Sequence, residues 1–248
     1  MDGIRLEESV DKCELLLGVE IQANLKWKTQ VKKLSEKLKT RLVGLAKLKF
    51  LHPFQTRKTL TLGIFNCVFV YCLPLFGGCD QSHLQSLQVL QNKAAQIATH
   101  KPPRSSRKEL YDKLGWMAVN QLVVYHTLLT VFKIRQTGEP EYLATFLKAD
   151  SRNGKIMIPN LKLGLAQKSF CFRGSSDWNS LPDSIRNSRK IGEFKFGLKK
   201  WIMVNISRLG VSLTRASAGV HHRNLLPHHN FLESINYLIC LKFLYKGL

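Results

Sequence analysis

Residues 27–48 read WKTQVKKLSEKLKTRLVGLAKL. Val31, Leu34, Leu38, Leu42, Leu45 and Leu48 recur at the spacing that lines one face of a helix. Lys32, Lys33, Lys39 and Lys47 project away from that stripe, and Glu36 is the one acid in the run. The pattern predicts a helix that is apolar on one side and cationic on the other. Trp27 stands at its start, either as a hydrophobic anchor or as a ring on which a nucleotide stacks.

Upstream, Gly3-Ile4-Arg5-Leu6 and the run from Cys13 to Ile21 are short, apolar and separated by acidic, turn-like residues. They are expected to be two strands of a hairpin whose partners lie elsewhere, since two strands alone are marginal. Downstream, the run from Leu60 to Cys79, LTLGIFNCVFVYCLPLFGGC, is twenty residues without a charge. Such a length admits a bilayer span, but Pro74 and Gly77-Gly78 would break it near one end, and a helix buried in a protein core fits better. After Gly78, Leu84, Leu87, Leu90, Ala94 and Ile97 mark a third helix that stops before Pro102-Pro103.

Ser106-Arg107-Lys108-Glu109 has the form of a capping box, and Gly115 that of a helix stop. The run from Asn120 to Arg135 is apolar on nearly every side, so it is expected at the buried centre of a second helical unit, ended by Gly138 and Pro140. His126 within it reads as a packing residue rather than a catalytic one. Lys168 to Arg173, KSFCFR, alternates as a strand does. In the next stretch Ser180 is expected to cap a helix that Pro182 opens. Ile191, Phe194, Leu198, Trp201 and Ile202 form a further helical stripe, with Lys195, Lys199 and Lys200 beside or opposite it. Gly192 and Gly197 weaken that helix by about 1 kcal/mol each relative to alanine. The expected fold is thus mainly α, a helical bundle preceded by a short β-hairpin and followed by a second helical unit with a short strand element. The expected boundaries are 1–24, 25–100, 101–203 and a poorly defined tail, 204–248, whose His221, His222, His228 and His229 are a weak metal signal.

Lys and Arg outnumber Asp and Glu by 38 to 17 in 248 residues, a formal charge of +21. With 44 % hydrophobic residues the chain is expected to fold, and a folded protein this basic is expected to meet a polyanion, nucleic acid first and anionic membrane second. Cysteines at 13, 67, 72, 79, 171 and 240 lack the dense pairing of secreted scaffolds, which suggests a reducing compartment. Cys67, Cys72, Cys79 and His83 could be drawn as a metal set, but they contain no C-x-x-C pair and read as buried thiols. Gly-rich phosphate loops, G-x-S-x-G elbows and H-E-x-x-H motifs are absent, and the aspartates are scattered. The sequence therefore offers no catalytic constellation and no cofactor site.

Several landmarks occur in fixed order. They are Leu17-Gly18-Val19 with Leu25-x-Trp27, then Tyr71-Cys72-x-Pro74-x-Phe76-Gly77, then Leu87-Gln88-x-x-Gln91-Asn92-Lys93-Ala94-Ala95. Leu114-Gly115-Trp116, Ser169-Phe170-x-x-Arg173-Gly174 and Trp178-Asn179-x-Leu181-Pro182-x-x-Ile185-Arg186 complete the series. Together they resemble the carboxy-terminal part of non-LTR, LINE-type (jockey-like) retrotransposon reverse transcriptases. Val70, Phe76 and Gln96 stand where that family often has an acidic residue, a tryptophan and an arginine.

The resemblance implies that the opening hairpin is the remnant of a polymerase palm and that the basic helices after it form a thumb-like body cradling template and primer. It places the acidic motif that binds Mg upstream of Met1, so this chain would contribute RNA and RNA–DNA duplex binding without chemistry of its own. Lys32, Lys33, Lys39, Lys47 and Trp27 are the candidate nucleic-acid-binding residues, and the compartments implied are intracellular, the cytoplasm and nucleus. The alternatives are a non-functional remnant or structural helical protein, and a membrane protein held by Leu60 to Cys79.

Overall fold

The computed structural model describes residues 13–22, 24, 26–48, 50, 53–102, 104–148, 154–158 and 164–209. The described residues are mainly helical, with one short antiparallel hairpin at their start. Strands β1 (Cys13–Leu16) and β2 (Val19–Gln22) pair with Leu16 opposite Val19. Leu17 and Gly18 connect them with φ of 51° and 81°, the doubly positive pair that a tight hairpin turn requires. The single strand expected from Cys13 to Ile21 therefore folds back on itself, because a two-residue turn of this kind fits inside an apolar run. Gly3-Ile4-Arg5-Leu6 lies outside the described residues, as does the histidine-bearing tail.

Helix α1 (Lys28–Leu48) buries Val31, Leu34, Leu38, Leu42 and Leu45, the expected stripe. Its first turns are pinned to the hairpin. The Glu20 amide donates to Gln30 Oε1 at 2.8 Å, and the Thr29 amide donates to Gln22 Oε1 at 3.2 Å.

The uncharged run after it is not one helix. Helix α2 (Phe54–Thr61) passes through a π-helical turn (Leu62–Asn66) into α3 (Cys67–Phe69), and the chain breaks before α4 (Leu73–Phe76). Cys72, two residues before Pro74, takes φ 56° at the break. The run is half-buried rather than sequestered: Phe65 and Phe69 are fully covered, while Leu62 is 41 % exposed. Tyr71 Oη then reaches back to donate to Leu17 O at 2.8 Å, fixing the hairpin turn.

Helix α5 (Gln81–Thr99) packs on α1, α2, α6 (Arg107–Leu114) and α7 (Val119–Thr137), so it is shared between the two halves. A buried polar network makes that joint. Gln88 Nε2 donates to Tyr111 Oη at 2.7 Å and to Asn92 Oδ1 at 2.9 Å, while its Oε1 accepts from the Val119 amide at 3.0 Å. Gln91 Nε2 donates to Met117 O at 3.0 Å, so the chain between α6 and α7 is held by amide side chains of α5. The Ser106 side chain makes no capping bond at α6, whereas Gly115 ends that helix with φ 67° as expected.

α7 is the buried centre of the second half, with α4, α10 (Phe170–Asn179) and α12 (Ile191–Leu209) against it, and short helices α8 (Glu141–Phe146), α9 (Gly164–Gln167) and α11 (Asp183–Arg186) around them. The stretch Arg107–Thr137 is apolar enough for a membrane span by composition, yet 67 % of its apolar window is buried inside the protein.

The strand expected at Lys168 to Arg173 is the start of α10. Ser169 Oγ accepts from the Phe172 amide and caps the helix. Phe170, Gly174 and Trp178, four residues apart, then face α7. Gly174 allows the approach, since a Cβ there would lie 2.9 Å from Val131 Cγ2. Ser180 closes α10 rather than opening the next helix, and Pro182 is the N-cap of α11.

Candidate nucleic-acid interface

Residues 25–100 carry twelve Lys and Arg against two acids, Glu36 and Asp80. α1 shows most of these cations on its surface because its leucine stripe occupies only one side. Lys28, Lys32 and Lys39 share one flank: seven residues are nearly two turns, so Lys32 and Lys39 lie about 10.5 Å apart along the axis. All three are exposed. Lys47 is also exposed, eight residues beyond Lys39 and turned by about 80° from it. Lys37 and Arg41 are exposed on the opposite flank and join the basic surface. Neither was singled out in the sequence, although the i, i+4 spacing of Lys33, Lys37 and Arg41 marks a stripe.

Two of the expected contact residues sit differently. Lys33 is half-buried, with Nζ 2.5 Å from Glu20 Oε1, so its charge already serves the hairpin joint. Trp27 is 8 % exposed and belongs to the core, with φ 61° immediately before the first turn of α1. Its indole is an anchor and presents no open face for a base to stack on.

The second half adds exposed Lys190, Lys199 and Lys200 on or just before α12. His126 adds no charge there at neutral pH. Burial pushes its imidazole down to about 4, and the Lys133 and Lys195 charges push the same way.

Asp177 on α10 is half-buried between the buried Arg173 and Trp178. Burial pushes its carboxyl up to about 6 against the opposing pull of Arg173. The folded chain thus holds this proton more tightly than the unfolded chain, whose value is near 3.8, so stability falls as pH rises from about 4 to about 6. Asp177→Asn is expected to be nearly neutral at pH 4 and to stabilise the protein by about 2 kcal/mol at pH 7. Urea unfolding of both chains at the two pH values checks this, and a gain that is equal at both would sink it.

Among the described residues no group of three or more His, Cys, Asp or Glu side chains comes together as a metal site. Cys67 is exposed within α3, whereas Cys72, at the break that follows, is buried. No protein-family model, curated protein or solved structure matches the chain.

Proposed function

We propose that the chain is the thumb and downstream part of a LINE-type reverse transcriptase and that it binds RNA and RNA–DNA duplex through the phosphate backbone. The observation that carries this reading is the display on α1: exposed Lys28, Lys32, Lys39 and Lys47 on the surface left by a stripe that is buried in the bundle. Flexible ammonium groups on a rigid helix suit phosphates, which set position and affinity without reading sequence. The ordered landmarks in the sequence supply the family part of the proposal, and it implies residence in the cytoplasm and nucleus. The catalytic acids and their Mg would belong to the polymerase palm.

Binding of a labelled RNA–DNA duplex, titrated at several salt concentrations, tests it. Each phosphate contact contributes about 0.7–0.9 to the slope of log affinity against log salt. Replacing Lys32, Lys39 and Lys47 together by alanine is therefore expected to lower the slope by about 2–3. Lys33→Ala is expected to change it little, because Glu20 already neutralises that group. A response to salt that is flat, or identical in the triple variant, would overturn the proposal.

A further inference from the structure

Among the described residues of the second half, three guanidinium nitrogens are buried without an acceptor: Nη1 of Arg135, and Nε and Nη1 of Arg186. Buried donors are almost always satisfied, and buried charges are almost always paired. The Arg186 side chain is 6 % exposed, and Asp183 accepts from its Nη2. That aspartate is itself 78 % exposed, at the first turn of α11. Arg135 lies with Cζ 4.9 Å from the centre of the Trp178 ring. Burial, and then the Arg186 charge, push its guanidinium down from its ordinary value, so the two cations act on each other. Among the described residues, one exposed carboxylate therefore faces a buried cation, Arg186, and a half-buried one, Arg135. A water molecule could accept from a donor but would supply no negative charge.

We propose that Arg135 and Arg186 are the seat of a phosphate group, free or carried on a nucleotide. Arginine matches the oxygens of a phosphate with paired donors. Asp183 is the exchangeable occupant. When its side chain swings out to solvent, Nη2 of Arg186 is released beside the unused Nε, and the pair can grip one oxyanion while Arg135 faces it from α7. Trp178, 1 % exposed and donating through Nε1 to Gly154 O at 3.2 Å, forms a rigid wall for Arg135. The seat is separate from α1, so the alanine triple variant there should respond to phosphate as the parent does.

Thermal unfolding of the full chain in inorganic phosphate, against chloride at equal ionic strength, is expected to show a rise in Tm of about 2–4 °C. Arg186→Gln should abolish the rise, and Asp183→Asn, which removes the competing carboxylate, should enlarge it. Adenosine monophosphate and adenosine distinguish the source: equal action by phosphate and the nucleotide assigns the free ion, and action by the nucleotide alone assigns a nucleotide phosphate. No rise with either ligand, or an undiminished rise in Arg186→Gln, would overturn the seat. If Arg186→Gln does not fold, calorimetric titration of the parent chain with phosphate decides, and the absence of a saturable single-site heat would overturn it equally.

Discussion

Gly78→Ala is expected to destabilise the protein by about 3 kcal/mol or more, lowering Tm by roughly 6–12 °C. A Cβ at Gly78 would lie 2.2 Å from the Lys168 carbonyl oxygen and 3.1 Å from Arg173 Nε. The obstacle is backbone, so no rotamer change relieves it. Nor can the carbonyl retreat easily, because Arg173 Nε donates to it at 3.0 Å and Arg173 Nη2 donates to Pro74 O at 2.6 Å. Arg173 thus ties the start of α10 to α4, and the missing side chain at Gly78 lets the two backbones meet. Lys168 also approaches Asp80, with Nζ 2.7 Å from Oδ1, but both side chains are about half exposed. Lys168→Ala is accordingly expected to cost less than about 1 kcal/mol. Denaturant unfolding of the two variants separates steric closure from ion pairing. A Gly78→Ala chain as stable as Lys168→Ala would show that the two segments are not in contact.

The long helices were legible because each carries many turns of one period. Leu34, Leu38, Leu42 and Leu45 on α1, and Leu84, Leu87, Leu90 and Ala94 on α5, allow no competing strand reading, and all eight are buried. KSFCFR was misread because six residues hold too little of either period. Phe170 and Phe172 alternate like a strand, and only the continuation through Gly174 to Trp178 reveals the spacing of four. The hairpin turn was hidden for a different reason. Leu17 is an unusual residue for positive φ, and what holds it is the hydroxyl of Tyr71, fifty-four residues away. Trp27 was ambiguous between anchor and stacking platform because the distinction depends on what covers the ring, which is a tertiary fact.

The ordered landmarks do architectural work. Tyr71 holds the hairpin, Gln88 and Gln91 hold the chain between α6 and α7, and Arg173 holds α4 to α10. The exposed lysines of α1 fall outside all of them. The landmark residues and the charge are therefore independent features of this chain: the first concern how the helices are joined, the second what their surface can attract. Failure of nucleic-acid binding would remove the second without touching the joints.

Trp178→Ala is expected to have the largest effect of any single truncation, about 4 kcal/mol and a fall in Tm of roughly 8–16 °C. Trp178 is 1 % exposed and stacks on Phe194 of α12 with ring centres 5.8 Å apart, and Phe194 in turn stacks on Phe132 of α7 at 4.2 Å. One indole therefore joins three helices, and its removal leaves a cavity that none of them can fill alone. The polar edge matters as well: Nε1 donates to Gly154 O at 3.2 Å, while the neighbouring Asn179 pairs with both the amide and the carbonyl of Ile156 at 2.8 Å. Trp178→Phe keeps most of the ring contact but orphans the Gly154 carbonyl, so a smaller loss of about 1–2 kcal/mol is expected. Urea unfolding followed by far-ultraviolet dichroism gives both values. If Trp178→Ala lost no more than Trp178→Phe, the aromatic stack would carry no weight, and α12 would have to be held to α7 by Leu198 and Ile202 alone, both fully buried on the same stripe.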